Sequence, residues 1–160
     1  MERIRVGAPS PTSVLEKLRA PGMPPCQLVL SAEAASIKAD FDVLPVLETF
    51  AGALAKRVRK QYDLQIVSSE ADFVPGTPGA FVRVVRIDQG NRFLRYFLTL
   101  FGGKTVLEAE GHVIGPAGTK KDFLLTHKGS AGFFGGSAIG LLKVNARTLA
   151  AKIGKMMLKA

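Results

Sequence analysis

The chain has 160 residues, a length that suits one domain, and 47% of them are hydrophobic, which excludes wholesale disorder. Its 22 basic residues outnumber 13 acidic ones, a net charge of +9 that favours anionic partners such as nucleic acid, lipid headgroups or lipopolysaccharide phosphates without choosing among them. A single cysteine, Cys26, excludes an internal disulfide, and no run approaches the ~18 apolar residues that a transmembrane helix needs.

Residues 1–35 read as a proline-rich N-terminal extension, because Pro9, Pro11, Pro21, Pro24 and Pro25 break any long element. Within it, Thr12-Ser13 can cap a short helix through Leu18, and QLVLS (27 to 31) forms a short strand. The domain proper is expected over 36–160. Its first strand is SIKADFDV, with Ile37, Ala39, Phe41 and Val43 on one face and Lys38, Asp40 and Asp42 on the other. A helix follows, VLETFAGALAKRVRKQYD, whose stripe is Leu47, Phe50, Ala51, Leu54 and Val58. Lys56, Arg57, Arg59 and Lys60 crowd its last turns, where cations suit the helix dipole.

LQIVSS (64 to 69) is the next strand. AFVRVVRI follows, with Phe81, Arg83, Val85 and Ile87 on one side and Ala80, Val82, Val84 and Arg86 on the other. Both sides are mostly apolar, which predicts a central position. TVLEAEGHVIG is a further strand, Gly115-Pro116-Ala117-Gly118 turns the chain, and KKDFLLTHKG returns antiparallel. A glycine-rich link then leads into a terminal helix. Leu142, Ala146, Leu149, Ile153 and Met156 share one helical face, and Lys143, Arg147, Lys152, Lys155 and Lys159 fall on the other arc. Such a helix packs on a sheet or lies on a membrane. The expected fold is α+β: a two-layer sandwich with a mixed, mostly antiparallel sheet of four to five strands and two main helices packed on one face.

Motifs for catalysis do not assemble. FGGKT (101 to 105) shares the end of a phosphate-binding loop, but Leu98 stands where the first glycine belongs, and a strand follows instead of a helix. GFFGGSAIG precedes a helix yet lacks the spacing of a dinucleotide fingerprint. Glu108, Glu110 and His112 alternate along one strand, a pattern more typical of a wet sheet face than of a metal site. No metal, cofactor, catalytic residue or small-molecule substrate is expected. Cys26, preceded by Met23-Pro24-Pro25, lacks the small and apolar residues that a lipidation site wants.

Between two apolar runs sits RIDQGNR (86 to 92), with a turn at Gly90-Asn91. Several segments from residue 37 onward resemble a bacterial family, the domain of unknown function 4410. They are ADFDV (39 to 43), RVVRIDQGNR (83 to 92), FGGKTVLEAEGHV (101 to 113) and the glycine-rich link into the terminal helix. The resemblance covers about three quarters of the chain. It implies an envelope-associated, lipoprotein-like protein with a small α/β sandwich and brings no activity with it. MERIRVGAPS shows no apolar stretch of a signal peptide, so the cytoplasm stands as the alternative to the envelope or periplasm.

The expected function is therefore a non-catalytic, envelope-associated binding or assembly module, self-associating through residues 93–101 or taking a protein partner. The alternative is a basic protein that binds nucleic acid or anionic lipid through its helices. The candidate contact residues are Arg86, Asp88, Asn91, Arg92, Phe93, Tyr96, Phe97, Phe101 and Lys104.

Overall fold

The computed structural model describes residues 3–90, 104–129 and 137–160. In chain order its elements are β1 (Arg3–Arg5), α1 (Val14–Lys17), β2 (Pro25–Glu33), β3 (Ile37–Lys38), α2 (Leu44–Val58), β4 (Asp63–Ile66), β5 (Gly79–Asp88), β6 (Thr105–Ile114), β7 (Lys120–Gly129) and α3 (Ala138–Lys159). The fold is α+β, as expected, with α2 and α3 together on one face of an open mixed sheet. Among the described residues that sheet has seven strands instead of four to five, in the order β1-β2-β5-β6-β7, with β4 also on β2 and β3 also on β5. The long ladders, β5 with β6 and β6 with β7, are antiparallel. β2 runs parallel to both β4 and β5. Parallel neighbours need a crossover, and α2 supplies it between β2 and β4.

Three readings of the sequence are corrected. The proline-rich segment is not peripheral: it supplies β1, α1 and β2, and Cys26 through Ala32 of β2 are all buried. Pro25 is tolerated because it opens the strand. SIKADFDV is not a full strand, since only Ile37 and Lys38 pair with β5. Asp42 Oδ1 accepts a hydrogen bond from Leu44 N at 3.0 Å, and Pro45 falls in the first turn of α2, so the chain leaves the sheet to begin a helix. In β5, a register shift between Val84 and Arg86 reverses the alternation. Ile87 thereby joins Ala80, Val82 and Val84 in the core instead of sharing a face with Phe81 and Arg83.

The core lies between the sheet and the two long helices. Leu28, Leu30, Val82, Leu107 and Ala109 meet Leu47, Phe50, Leu54 and Val58 of α2 and Leu142, Ala146, Leu149 and Ile153 of α3. Met157, not Met156, completes the α3 stripe. Ser137 caps α3 by accepting from Gly140 N at 3.1 Å. One polar residue is buried in α3: Asn145 donates Nδ2 to Thr105 Oγ1 at 3.0 Å, and its Oδ1 lies 2.8 Å from His127 Nδ1. A buried amide with both ends matched fixes the register of α3 on β6 and β7.

The N-terminal segment is tied down by a charged clamp. Arg19 donates Nε to Asp63 Oδ1 at 2.8 Å and Nη2 to Oδ2 at 2.7 Å, and Ala20 N donates to Oδ1 at 2.9 Å. The Arg19 hydrogen bonds hold the Asp63 carboxyl below its ordinary value of 3.8. A lowered carboxyl pKa adds stability that is complete above 3.8 and is lost as the pH falls through the folded-state value. The guanidinium is 38% exposed, so Arg19→Ala is expected to cost about 1.5 kcal/mol at neutral pH, the lower end for bonds to a charged group. Denaturant titrations at neutral pH and below about pH 4 check it: the gap between wild type and variant should narrow in acid.

Candidate functional site

With both long helices on one face, the other face of the sheet presents side chains that, among the described residues, no long helix covers. Register and alternation place there Arg3 and Arg5 of β1, Ser31 and Glu33 of β2, Phe81, Arg83 and Arg86 of β5, Glu108, Glu110 and His112 of β6, and Asp122, Leu124, Thr126 and Lys128 of β7. A groove of about 400 Å³ runs over this face between Arg3, Glu70, Phe81, Arg83, Glu110, His112 and Asp122.

The groove is built from cross-strand pairs. Phe81 stacks on His112 at 4.7 Å and packs against Phe73 at 4.6 Å. Burial, then the Lys120 charge, lowers the His112 imidazole below 6.5, so it stands neutral at pH 7. Arg83 Nη1 lies 3.1 Å from Glu33 Oε1, and its Nη2 pairs with Glu110 Oε1. Glu108 Oε2 accepts from Thr126 Oγ1 at 2.7 Å. Thus Glu108, Glu110 and His112 do share a face, but each is engaged by a different neighbour. Among the described residues no three His, Cys, Asp or Glu side chains converge as metal ligands.

The remaining nucleophile and imidazole are equally committed. Cys26 is fully buried, and burial, then Asp63, pushes its thiol up to about 12. His127 faces Asn145 in the helix layer.

Of the residues singled out from the sequence, Arg86 and Asp88 lie at the end of β5, with Arg86 Nη2 3.5 Å from Asp88 Oδ2. Asp88 Oδ1 accepts from Gly90 N at 2.8 Å, and Gly90 takes φ 78°, so the described part of the polar knot is held by its own aspartate. Lys104 is exposed just before β6. Asn91, Arg92, Phe93, Tyr96, Phe97 and Phe101 lie outside the described residues, between β5 and β6 in the chain.

Two further surfaces stand out, one that no local sequence pattern marks and one that the sequence already marked as cationic. The first is β7, which ends the sheet. It pairs with β6 along its whole length, and among the described residues no strand pairs with its outer side. Leu124 stands 65% exposed on it. Edge strands of this length are templates for further pairing. The second is the helix layer. Residues 44–60 and 138–159 carry Lys56, Arg57, Arg59, Lys60, Lys143, Arg147, Lys152, Lys155 and Lys159 against one carboxylate, Glu48. Among the described residues none of these cations pairs with a carboxylate. No helix among the described residues is long and apolar enough to cross a membrane.

No protein-family model matches the chain. No curated protein matches it either.

Proposed function

We propose that the chain is a non-catalytic binding and assembly module of the bacterial cell envelope, making protein contacts through the free margin of its sheet. The observation that carries this reading is the ten-residue outer edge of β7, with Leu124 exposed on it. The segment 93–101, expected from the sequence as a contact, joins β5 to β6 in the chain and lies outside the described residues. The engagement of Cys26, His112 and His127 in packing and hydrogen bonds supports a role without catalysis. The envelope part rests on the resemblance carried by RIDQGNR and FGGKT.

Site-specific photo-crosslinking in the host cells tests the reading. A benzophenone side chain in place of Leu124 or Phe97 is expected to trap protein adducts, and one in place of Val144, exposed on the helix layer, is not. Adducts at Val144 alone would contradict the assignment of the contact surface.

The second reading, binding to anionic lipid or nucleic acid, is favoured by the unpaired cations of α2 and α3 and their surroundings. Its affinity should fall steeply with salt. Absence of retention on heparin, DNA and anionic vesicles at low salt removes it.

A further inference from the structure

Building on the reading of the chain as an assembly module, we infer that β7 pairs with the β7 of a second copy across a two-fold axis, Leu125 lying opposite its own symmetry mate. The outer backbone N–H and C=O groups of β7 need partners, and another edge strand supplies them in one geometry. Lys120 to Gly129 are already straightened into a ladder by β6. A two-fold axis perpendicular to the sheet makes the two copies antiparallel and keeps like faces on like sides. Side chains alternate between faces, so only registers that match residues of the same face are allowed.

Two such registers keep the overlap longest. With Leu124 opposite Leu124, Lys120 faces Lys128 and Lys121 faces His127 at both ends of the ladder. With Leu125 opposite Leu125, Asp122 faces Lys128 at both ends, Leu124 faces Thr126, and Lys121 faces Gly129. Like charges directly opposite destabilise a ladder, and opposite charges support it. Charge therefore selects the second register. Asp122, Leu124, Thr126 and Lys128 are all exposed on the open face, so the two ion pairs and the Leu124–Thr126 contacts form without moving the core. Lys128, which penalises the slipped register by facing Lys120, fixes the correct one by facing Asp122. The product is one continuous sheet with both helix layers on the same side.

Sedimentation velocity on the full chain at rising concentration is the test, with Asp122→Lys, Lys128→Asp and an equimolar mixture of the two. Each variant alone places like charges at both pairs, and the mixture places lysine opposite aspartate at both. Each single variant is expected to dimerise about tenfold or more weakly than wild type, and the mixture to recover a dimer with one copy of each. Circular dichroism melts verify that the variants fold. Should either fail, Leu125→Cys gives an independent readout: it should oxidise readily to a covalent dimer, and Leu124→Cys should not. A wild-type chain that stays monomeric at millimolar concentration, or a dimer indifferent to both charge reversals, overturns the inference. A monomer that still yields Leu124 photo-crosslinks to other proteins removes the dimer and leaves the module reading standing. A monomer without any such crosslink removes both.

Discussion

Truncating Leu149 or Ile153 to alanine is expected to cost about 2–5 kcal/mol each, the range for a fully buried aliphatic side chain whose cavity does not collapse. Both are 0% exposed, between α2 and the helix-facing side of the sheet. For a chain of this length such a loss lowers the melting temperature by about 5–15 °C. Lys152→Ala and Lys155→Ala, one helical step away and exposed, should stay within about 0.5 kcal/mol. Thermal melts of the four variants decide the matter. If the apolar pair proves neutral to stability but abolishes vesicle binding or self-association, α3 is an exported interaction element and not the floor of a core.

The second large effect belongs to Gly111. It sits inside β6 opposite Val82 with φ 154°, and a Cβ there would lie 1.8 Å from the Phe81 carbonyl oxygen. That oxygen is backbone in a central strand, so relief requires β5 and β6 to part. Unfavourable backbone conformation and overpacking each cost about 1–3 kcal/mol, so Gly111→Ala should lose about 2–6 in a urea titration. The change also pries apart the strands that carry the Phe81–His112 stack. Loss of the ring contact should be visible as altered His112 imidazole NMR shifts. An alanine variant as stable as wild type would mean that β5 and β6 are not paired in this register.

The parts of the fold that could be read from the chain are those where one periodicity runs long enough. Leu142, Ala146, Leu149 and Ile153 repeat over several turns of α3, and Leu47, Phe50, Leu54 and Val58 do so in α2, so both helices and their buried faces were legible. β2 is hard to read from the chain because burial on both faces removes alternation and leaves only a short apolar run after Pro24-Pro25. Ile37, Ala39, Phe41 and Val43 alternate like a strand. Asp42 and Pro45, which start α2, were the competing local signal. Ile87 was assigned to the wrong face because a single bulged residue inverts every position after it. Asn145 escaped notice because an amide at a stripe position reads as a solvent position until its partners, Thr105 and His127, are seen beside it.

The site was less legible than the fold. Glu33, Arg83 and Glu110 lie far apart in the chain and meet only through strand register, and the free edge of β7 is a property of sheet order that no local pattern encodes. Asp88 and Gly90 are held together as short polar side chains and a glycine suggest, while the Gly-Asn reversal itself runs into residues outside those described.

Peptide-resolved amide hydrogen exchange at low and high protein concentration tests the central claim, that the outer edge of β7 is the contact surface. β6 is hydrogen-bonded on both sides and should be protected throughout. In dilute solution the outward amides of 120–129 should exchange fast, and on assembly new protection should appear there and not on α2 or α3. Protection that appears on the helix layer instead, or a β7 whose exchange does not change with assembly, would contradict the account.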